Sequence, residues 1–373
     1  LLQILRRMSY YIHQKHNWPN FTWISEEFVS LLSEARNLQG RLIGKMESLG
    51  FELQDEALLE TLTLDVLKSA EIEGELLNPE QVRSSIAQRL GIDFAGTITS
   101  DRNVDGMVDM MIDATRNCFN PLTKERLFDW HAALFPMGRS GIFKITVADW
   151  RKDSSGKMQV VSGSGGREKV HFQAPDADLI EMEMKRFLQW FNEENKIDLV
   201  IKAAIAHLWF VTIHPFQDGN GRITRALTDM LLAHSDKSTQ RFYSMSAQIR
   251  IERKEYYDIL EKTQKGDLDI TEWLKWFLSC LINSLNATEK ILTRVFIKAD
   301  FWNKHSKTII NERQKKVLNK LLDDFEGKLT SMKWAKIAKC SKDSAIRDIN
   351  DLISKDILQK EIAGGRSTNY VLK

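Results

Sequence analysis

Cysteine is scarce and poorly spaced in this 373-residue chain: Cys118, Cys280 and Cys340 are odd in number and form no Cys-x-x-Cys pair. That excludes a disulfide framework and a cysteine zinc site. No apolar run reaches about eighteen residues without a charge, so no transmembrane helix is expected. Residues 1–7 are too short and too charged for a signal peptide, which makes the cytoplasm the expected location. The chain opens on Leu1 and not on Met, so upstream sequence is expected to be missing. An excess of one charge sign is lacking too: the formal net charge is +2, which names no partner. A hydrophobic share of 43% with 28% charged residues is ordinary globular material, enough for about two or three domains.

What is present gathers in residues 214–225, His-Pro-Phe-Gln-Asp-Gly-Asn-Gly-Arg-Ile-Thr-Arg. Residues 199–213 before it are apolar almost all round, the pattern of a buried helix. Pro215 and Gly219 break that helix, and from about Gly221 a 3.6-residue period resumes through Ile223, Ala226, Leu227, Met230 and Leu231. The unit is therefore buried helix, tight loop, second helix. The first N–H groups of the second helix have no intrahelical partner and sit at its positive dipole end, where anions bind. Gly219 and Gly221 permit close approach and positive φ. Arg222 and Arg225, three apart, share nearly one face and can fork onto phosphate oxygens. Asp218 is a hard oxygen ligand of the kind Mg²⁺ takes when phosphate supplies the rest of its shell. His214, titrating near neutrality, can take the proton of an attacking hydroxyl. Chance agreement at eight specified positions, at about one in twenty each, is on the order of 10⁻⁸ for the chain.

The segment resembles, position for position, the motif of the Fic (filamentation induced by cAMP) family, His-x-Phe-x-Asp/Glu-Gly-Asn-Gly-Arg-x-x-Arg. The usual reaction of that family moves AMP from ATP to a hydroxyl of a target protein and releases pyrophosphate. The resemblance implies that His214 is the general base and that Phe216 anchors the loop in the core. It implies that Asp218 holds Mg²⁺ and that Asn220, with the Gly219 and Gly221 amides, binds the α-phosphate region. Arg222 then holds the β-phosphate side and Arg225 the γ-phosphate. The family variant with lysine for the second glycine, which phosphorylates, is not what stands here, and AMP transfer is the expectation.

A weaker signal lies at Ser69-Ala-Glu-Ile-Glu73-Gly74. Residues 64–77 are expected to be helical, with Leu64, Leu67 and Ile72 among the apolar positions and Ser69 and Glu73 on one face. Glu71, Glu73 and Glu75 alternate, as on a solvated acidic helix end. The stretch also resembles the inhibitory helix of Fic proteins that carry it before the core. By that resemblance Glu73 pairs with Arg225 in place of the γ-phosphate, a charge-assisted bond that the nucleotide must displace.

Residues 158–163 and 170–173 are short β-prone runs separated by glycines and serines, which predicts a hairpin in an otherwise helical chain. It resembles the flap on which Fic enzymes hold an extended target segment by main-chain pairing, with Val160, Val161, Ser162 and Gly163 at the ATP site. Residues 253–264 are expected to form a helix. Tyr256 and Tyr257 point about 100° apart on it, so at most one of them can face a site, and core packing stays open for either. By resemblance Tyr257 and Gln264 line the adenine pocket.

Residues 310–373 hold fourteen Lys and Arg against nine Asp and Glu. Helices are expected at 312–322, capped by Asn311, at 334–339 and at 344–354, followed by strands at 358–362 and 368–372 around Gly364-Gly365. Three helices and a hairpin resemble a winged helix-turn-helix. Ser341 would cap the third helix, whose Lys342, Asp343, Ser344 and Arg347 would face a major groove, with Arg366 on the wing reaching a phosphate. Asp343, Asp348 and Asp351 argue against DNA, so a DNA and a protein partner both stay open. At the front, Phe28, Leu31, Leu32, Ala35, Leu38 and Leu42 step at helical spacing.

The expected fold is mainly α. It comprises a helical N-terminal domain at 1–108 with the inhibitory helix, a Fic-type helical core with a β-hairpin flap at 109–285, and a linker helix with a winged helix at 286–373. The expected activity is that of an autoinhibited protein adenylyltransferase using ATP and Mg²⁺ on Tyr, Thr or Ser hydroxyls of a target protein held at the flap, and of itself. Removal of AMP from a modified protein, transfer of another nucleotide-linked group, and a DNA-binding regulator with a nucleotide-sensing core are the alternatives. A homodimer is one option for its oligomeric state.

Overall fold

The computed structural model describes residues 11–47, 51–92, 98–153, 156–163, 169–194, 196–322, 325, 327–361 and 368–373. The chain is mainly helical and divides into two compact units, Leu1–Thr288 and Glu289–Lys373. Among the described residues no helix is long and apolar enough to cross a membrane.

The first unit opens with α1 (Val29–Glu47), α2 (Phe51–Ile72), α3 (Pro79–Leu90), α4 (Arg102–Arg116) and α5 (Lys124–Leu134). Helix α1 buries Ala35, Gln39, Leu42 and Met46, a stripe at helical spacing. The α3 helix starts on Asn78, whose side chain accepts from Glu80 and Gln81 N–H, with Pro79 at the first position. It stops at Gly91, φ 68°. Helix α2 was expected to run over 64–77. It begins earlier, at Phe51, and ends at Ile72, because Gly74 turns to φ 85° and Glu75 N–H folds back onto the Ala70 carbonyl. Glu73 therefore stands just past the helix, in its terminal turn. The boundary expected at 108/109 falls inside α4, which packs on α5 so closely that a Cβ on Gly106 would meet the Ala133 carbonyl oxygen at 1.8 Å.

Two short antiparallel hairpins follow, β1 (Arg139–Ser140) with β2 (Phe143–Lys144) and β3 (Gln159–Ser162) with β4 (Lys169–Gln173). The second is the expected hairpin, with a register shift between Val160 and Val161. Then come α6 (Ile180–Asn192), α7 (Leu199–Ile213), α8 (Asn220–Asp236), α9 (Met245–Ile251), α10 (Arg253–Gln264) and α11 (Thr271–Lys304). Helix α7 starts on Asp198, which accepts from Val200 N–H, and every residue from Val200 to Ile213 is buried. It is the axis of the core, with α8 packed along it. The division expected at 285/286 lies at Thr288/Glu289, inside α11.

The second unit holds α12 (Glu312–Leu322), α13 (Ser331–Ala338), α14 (Lys342–Ser354) and the antiparallel pair β5 (Leu358–Lys360) and β6 (Tyr370–Leu372). Its core is Trp334 with Val317, Leu318, Ile349, Leu352, Ile357 and Leu358. Asn311 caps α12 reciprocally with Gln314, each backbone N–H reaching the other's side-chain oxygen at 2.9 Å. Helix α13 starts three residues before the expected Trp334 because Thr330 caps it through Lys333 N–H. The strands are shorter than expected, and Gly364, Gly365 and Arg366 lie outside the described residues. The acidic objection to a nucleic-acid face loses one of its three members, while Asp343 stays exposed and Asp351 half-exposed. Asp348 is buried against Arg313 and Asn311, and Asp351 is bonded to Gln314 and Lys355.

Candidate active site

The loop between α7 and α8 is built by the sequence that precedes and follows it. Helix α7 ends on His214 in the left-handed region, φ 54°, and α8 starts after Gly219, φ 82°. A Cβ on Gly219 would also meet the Phe135 ring at 2.9 Å, so both the backbone and its neighbours require glycine there. Phe216 is fully buried between His131, Trp150 and Phe128. The Asn220 side chain closes the loop, accepting from Phe216 N–H at 2.9 Å and donating to the Phe216 carbonyl at 2.8 Å. One N–H and the oxygen of its amide are thus engaged by the loop, and the second N–H is left over.

The segment 146–151 runs alongside the loop as a splint. Thr146 N–H donates to Gln217 Oε1 at 2.6 Å, Arg151 N–H to the Pro215 carbonyl at 2.9 Å, and Arg151 Nε to the His214 carbonyl at 2.8 Å. Arg151 is buried, and Asp153 beside it keeps it paired. None of these residues stood out in the sequence, because their bonds go mainly to backbone 60 or more positions away and leave no local pattern.

His214 is half-buried, and its Nδ1 lies 3.2 Å from the Val211 carbonyl. A carbonyl only accepts, so Nδ1 carries the proton and Nε2 the free lone pair. Burial lowers its pKa from 6.5 to about 4, with Arg151 adding to the effect, so the ring is neutral at pH 7. The Asp218 carboxylate accepts from Gly219 N–H at 2.6 Å and from the Ser140 hydroxyl of the first hairpin, and Arg222 Nη2 stands 3.9 Å away.

The two arginines are both engaged by carboxylates arriving from the end of α2. Arg225, buried, donates through Nε to Ser69 Oγ at 2.8 Å, and through Nη2 to the Ser69 carbonyl at 2.8 Å and to Glu73 Oε1 at 2.9 Å. The same Glu73 oxygen lies where a Cβ on Gly221 would stand, 2.0 Å from that position. Arg222 donates to Glu75 Oε2 at 2.7 Å and its guanidinium lies over the Phe135 ring, 4.9 Å from the centroid. Its buried Nε has no partner. Glu71, the third of the alternating acids, pairs with Lys68 and Arg250. Each of these three glutamates meets a cation while Glu73 and Glu75 keep exposed surface, and Glu75 joins Glu73 as a residue at the arginine pair.

Tyr257 is half-buried on α10, close enough to Glu73 and Arg225 to feel both charges, with Arg253 over its ring at 5.2 Å. Tyr256 turns inward and its hydroxyl meets His207 Nε2 at 3.0 Å. Gln264 is buried and its amide donates to Thr212 Oγ1 at 3.2 Å, so that donor is already engaged. In the second hairpin the Val160 side chain packs against an apolar cluster of Tyr11, Phe172 and Ala174. Ser162 faces His171 across the hairpin at 2.6 Å, and His171 meets Glu261 of α10 at 2.5 Å, an anchor that also spends the Ser162 hydroxyl. Val161 is 47% exposed, and Gly163 takes φ 95°.

Among the described residues no group of three or more His, Cys, Asp or Glu is assembled that could hold a metal. Asp218 alone is the candidate ligand, which suits an ion that draws most of its shell from phosphate and water. The unpartnered Nε of Arg222 and the Cβ-free cradle at Gly221 are likewise suited to phosphate oxygens.

Five histidines of this unit are pushed down by burial: His13, His131 and His214 to about 4, His207 to about 3, and His234 in the same direction. Each binds a proton more readily when unfolded, at the ordinary 6.5, so its stabilising contribution is present above that value and is lost as pH falls through its lowered one. Asp236, raised to about 6, works in the opposite sense. Calorimetry at pH 7 and pH 5 should show a lower melting temperature at pH 5, with net proton uptake on unfolding. An equal or higher value at pH 5 would contradict the buried neutral histidines.

Residues 121–232 match the Fic/DOC family, and residues 11–92 match a domain of unknown function, DUF4172. The chain is 26% identical over 223 residues to a protein adenylyltransferase Fic of Drosophila mojavensis, covering 59% of this chain and 40% of that protein. It is 34% identical over 105 residues to the protein of that name from Drosophila grimshawi, covering 28% and 20%. It thus spans at most about two fifths of the length of these relatives. Among solved structures, a Fic family protein from Desulfovibrio desulfuricans G20 superposes with a TM-score of 0.54 at 20% identity, over 94% of this chain and 97% of that one, a likeness of fold.

Proposed function

Since this chain belongs to the Fic/DOC family through residues 121–232, we propose that it is a protein adenylyltransferase that rests in a self-inhibited state. The observation that carries this reading is the double occupation of the arginine pair, Glu73 on Arg225 and Glu75 on Arg222, beside a cradle that Gly221 leaves open.

In the reaction we propose, a target hydroxyl oxygen attacks the α-phosphorus of ATP while His214 Nε2 takes its proton. The bond from that phosphorus to the bridging oxygen breaks, and pyrophosphate departs with the electron pair. Arg222 and Arg225 receive the β- and γ-phosphates, and the α8 N-terminus with the Gly219 and Gly221 amides receives the α-phosphate. Asp218 would hold Mg²⁺, whose charge neutralises the phosphates as in other phosphoryl transfers. Tyr257 would stack against adenine, and the exposed edge at Val161 would pair with an extended target segment. While Glu73 and Glu75 hold the arginines, the phosphates compete with two charge-assisted bonds. The buried free thiols of Cys118 and Cys280 support a reducing compartment, the cytoplasm. For the second unit we propose a winged helix whose exposed Lys342 and Arg347 meet an anionic partner, with duplex DNA favoured since Asp348 is tied inward to Arg313.

The test is incubation of wild-type and Glu73→Gly protein with Mg²⁺ and either α-labelled or γ-labelled ATP. The Glu73→Gly protein should retain the α label on itself or on a lysate protein at least about ten-fold more than wild type, a shift worth about 1.4 kcal/mol. The γ label should stay off protein. Retention of the γ label would mean phosphorylation, and equal labelling of wild type and variant would remove the inhibitory role of Glu73.

A further inference from the structure

We propose that His131 is a positioning residue for the reaction proposed above: it holds the Asp218 carbonyl and the Phe216 ring, and through them fixes where the Asp218 carboxylate stands. His131 lies on α5 and is fully buried. Its Nδ1 lies 3.2 Å from Ala148 N–H and its Nε2 lies 3.2 Å from the Asp218 carbonyl. A backbone N–H only donates and a carbonyl only accepts, so the two neighbours dictate one tautomer, with the proton on Nε2. The ring stacks on Phe216, centroids 4.2 Å apart and planes 10° from parallel.

The rest of the loop is held by other groups. Arg151 takes the carbonyls of His214 and Pro215, and Asn220 takes that of Phe216. The Asp218 carbonyl falls to His131, which thereby completes the splint from Ala148 across to the loop. Ala148 stands at φ 53°, a left-handed region that non-glycine residues seldom adopt. The bond from its N–H to His131 is one of the contacts that hold it there. A side chain with only a ring, or only a donor, would do part of this; His131 stacks, donates and accepts at once.

The experiment uses full-length Glu73→Gly protein, alone and combined with His131→Phe or His131→Gln. Phenylalanine keeps the stacking and loses both hydrogen bonds, whereas glutamine offers one donor and one acceptor. Without nucleotide, amide hydrogen exchange over residues 216–219 should quicken by about ten-fold in His131→Phe while the interior of α7 keeps its protection. In transfer assays at graded Mg²⁺, His131→Phe should lower kcat by about 10- to 100-fold and raise the Mg²⁺ midpoint, with KM for ATP within about two-fold and partial recovery in His131→Gln. Unchanged loop exchange in His131→Phe overturns the proposal, as does a loss of kcat with no shift of the Mg²⁺ midpoint. If Glu73→Gly protein transfers no label at all, the reaction assigned to the site fails, and the exchange measurement still decides the role of His131.

Discussion

Adding His214→Ala to Glu73→Gly protein is expected to lower AMP transfer by about 10²–10⁴-fold, the usual contribution of a positioned general base. The expectation follows from the tautomer. With Nδ1–H committed to the Val211 carbonyl, Nε2 is a lone pair with no internal partner, and the lowered pKa of about 4 keeps it unprotonated across the neutral range. Alanine removes that acceptor and nothing that holds phosphate, so the loss belongs in kcat, with ATP affinity nearly kept. Alanine also retains the left-handed backbone at this position at the cost of about 1–2 kcal/mol, much as His214 does now. Measured rates and ATP titrations on the two proteins separate the outcomes. Residual transfer within about ten-fold of the parent would mean that another group takes the proton.

The second large effect concerns a buried ion pair. Arg241 and Asp229 are bonded with side chains only 2% and 1% exposed, and Arg241 also donates to the Tyr243 carbonyl at 3.2 Å. Burial pushes the Asp229 carboxyl well above the carboxylate range, and Asp65 of α2 adds to the rise. Arg241→Ala should cost about 3–5 kcal/mol of stability, the range for leaving one buried partner alone, read as a lower denaturation midpoint. The same cluster binds α2 to the rest of the unit: Asp65 accepts from the Ser244 hydroxyl and from Ser246 N–H at 3.3 Å. Since Asp65 and Ser69 lie one turn apart on α2 and Glu73 follows in its terminal turn, loosening the first should loosen the hold of the last on Arg225. Arg241→Ala protein should therefore also show raised basal labelling at a temperature where it is folded. A midpoint within about 1 kcal/mol of wild type would show that the unit absorbs the loss.

Much of this was legible in the chain itself. The loop between α7 and α8 announces itself because an all-round apolar helix must stop where proline and glycine stop it, and the Phe216 anchor follows from its position. The cap of α12 was legible because Asn311 and Gln314 satisfy each other within one turn. The end of α2 was misjudged since an alternating acidic run continues past Gly74, and only the chain reversal there decides the stop. Glu75, Ser140 and His131 were missed for a different reason. Each is brought to the loop from 78 or more residues away, and a lone serine, histidine or glutamate has no period to betray it. Asp348 was taken for a surface charge because its neutralising partner, Arg313, sits on another helix.

Gly221 ties resting state and turnover to one missing methyl group. A Cβ there would stand 2.0 Å from Glu73 Oε1, so even alanine at this position obliges the Glu73 carboxylate to move. The brake proposed above is thus open to displacement from two sides, at Gly221 of α8 and at the end of α2.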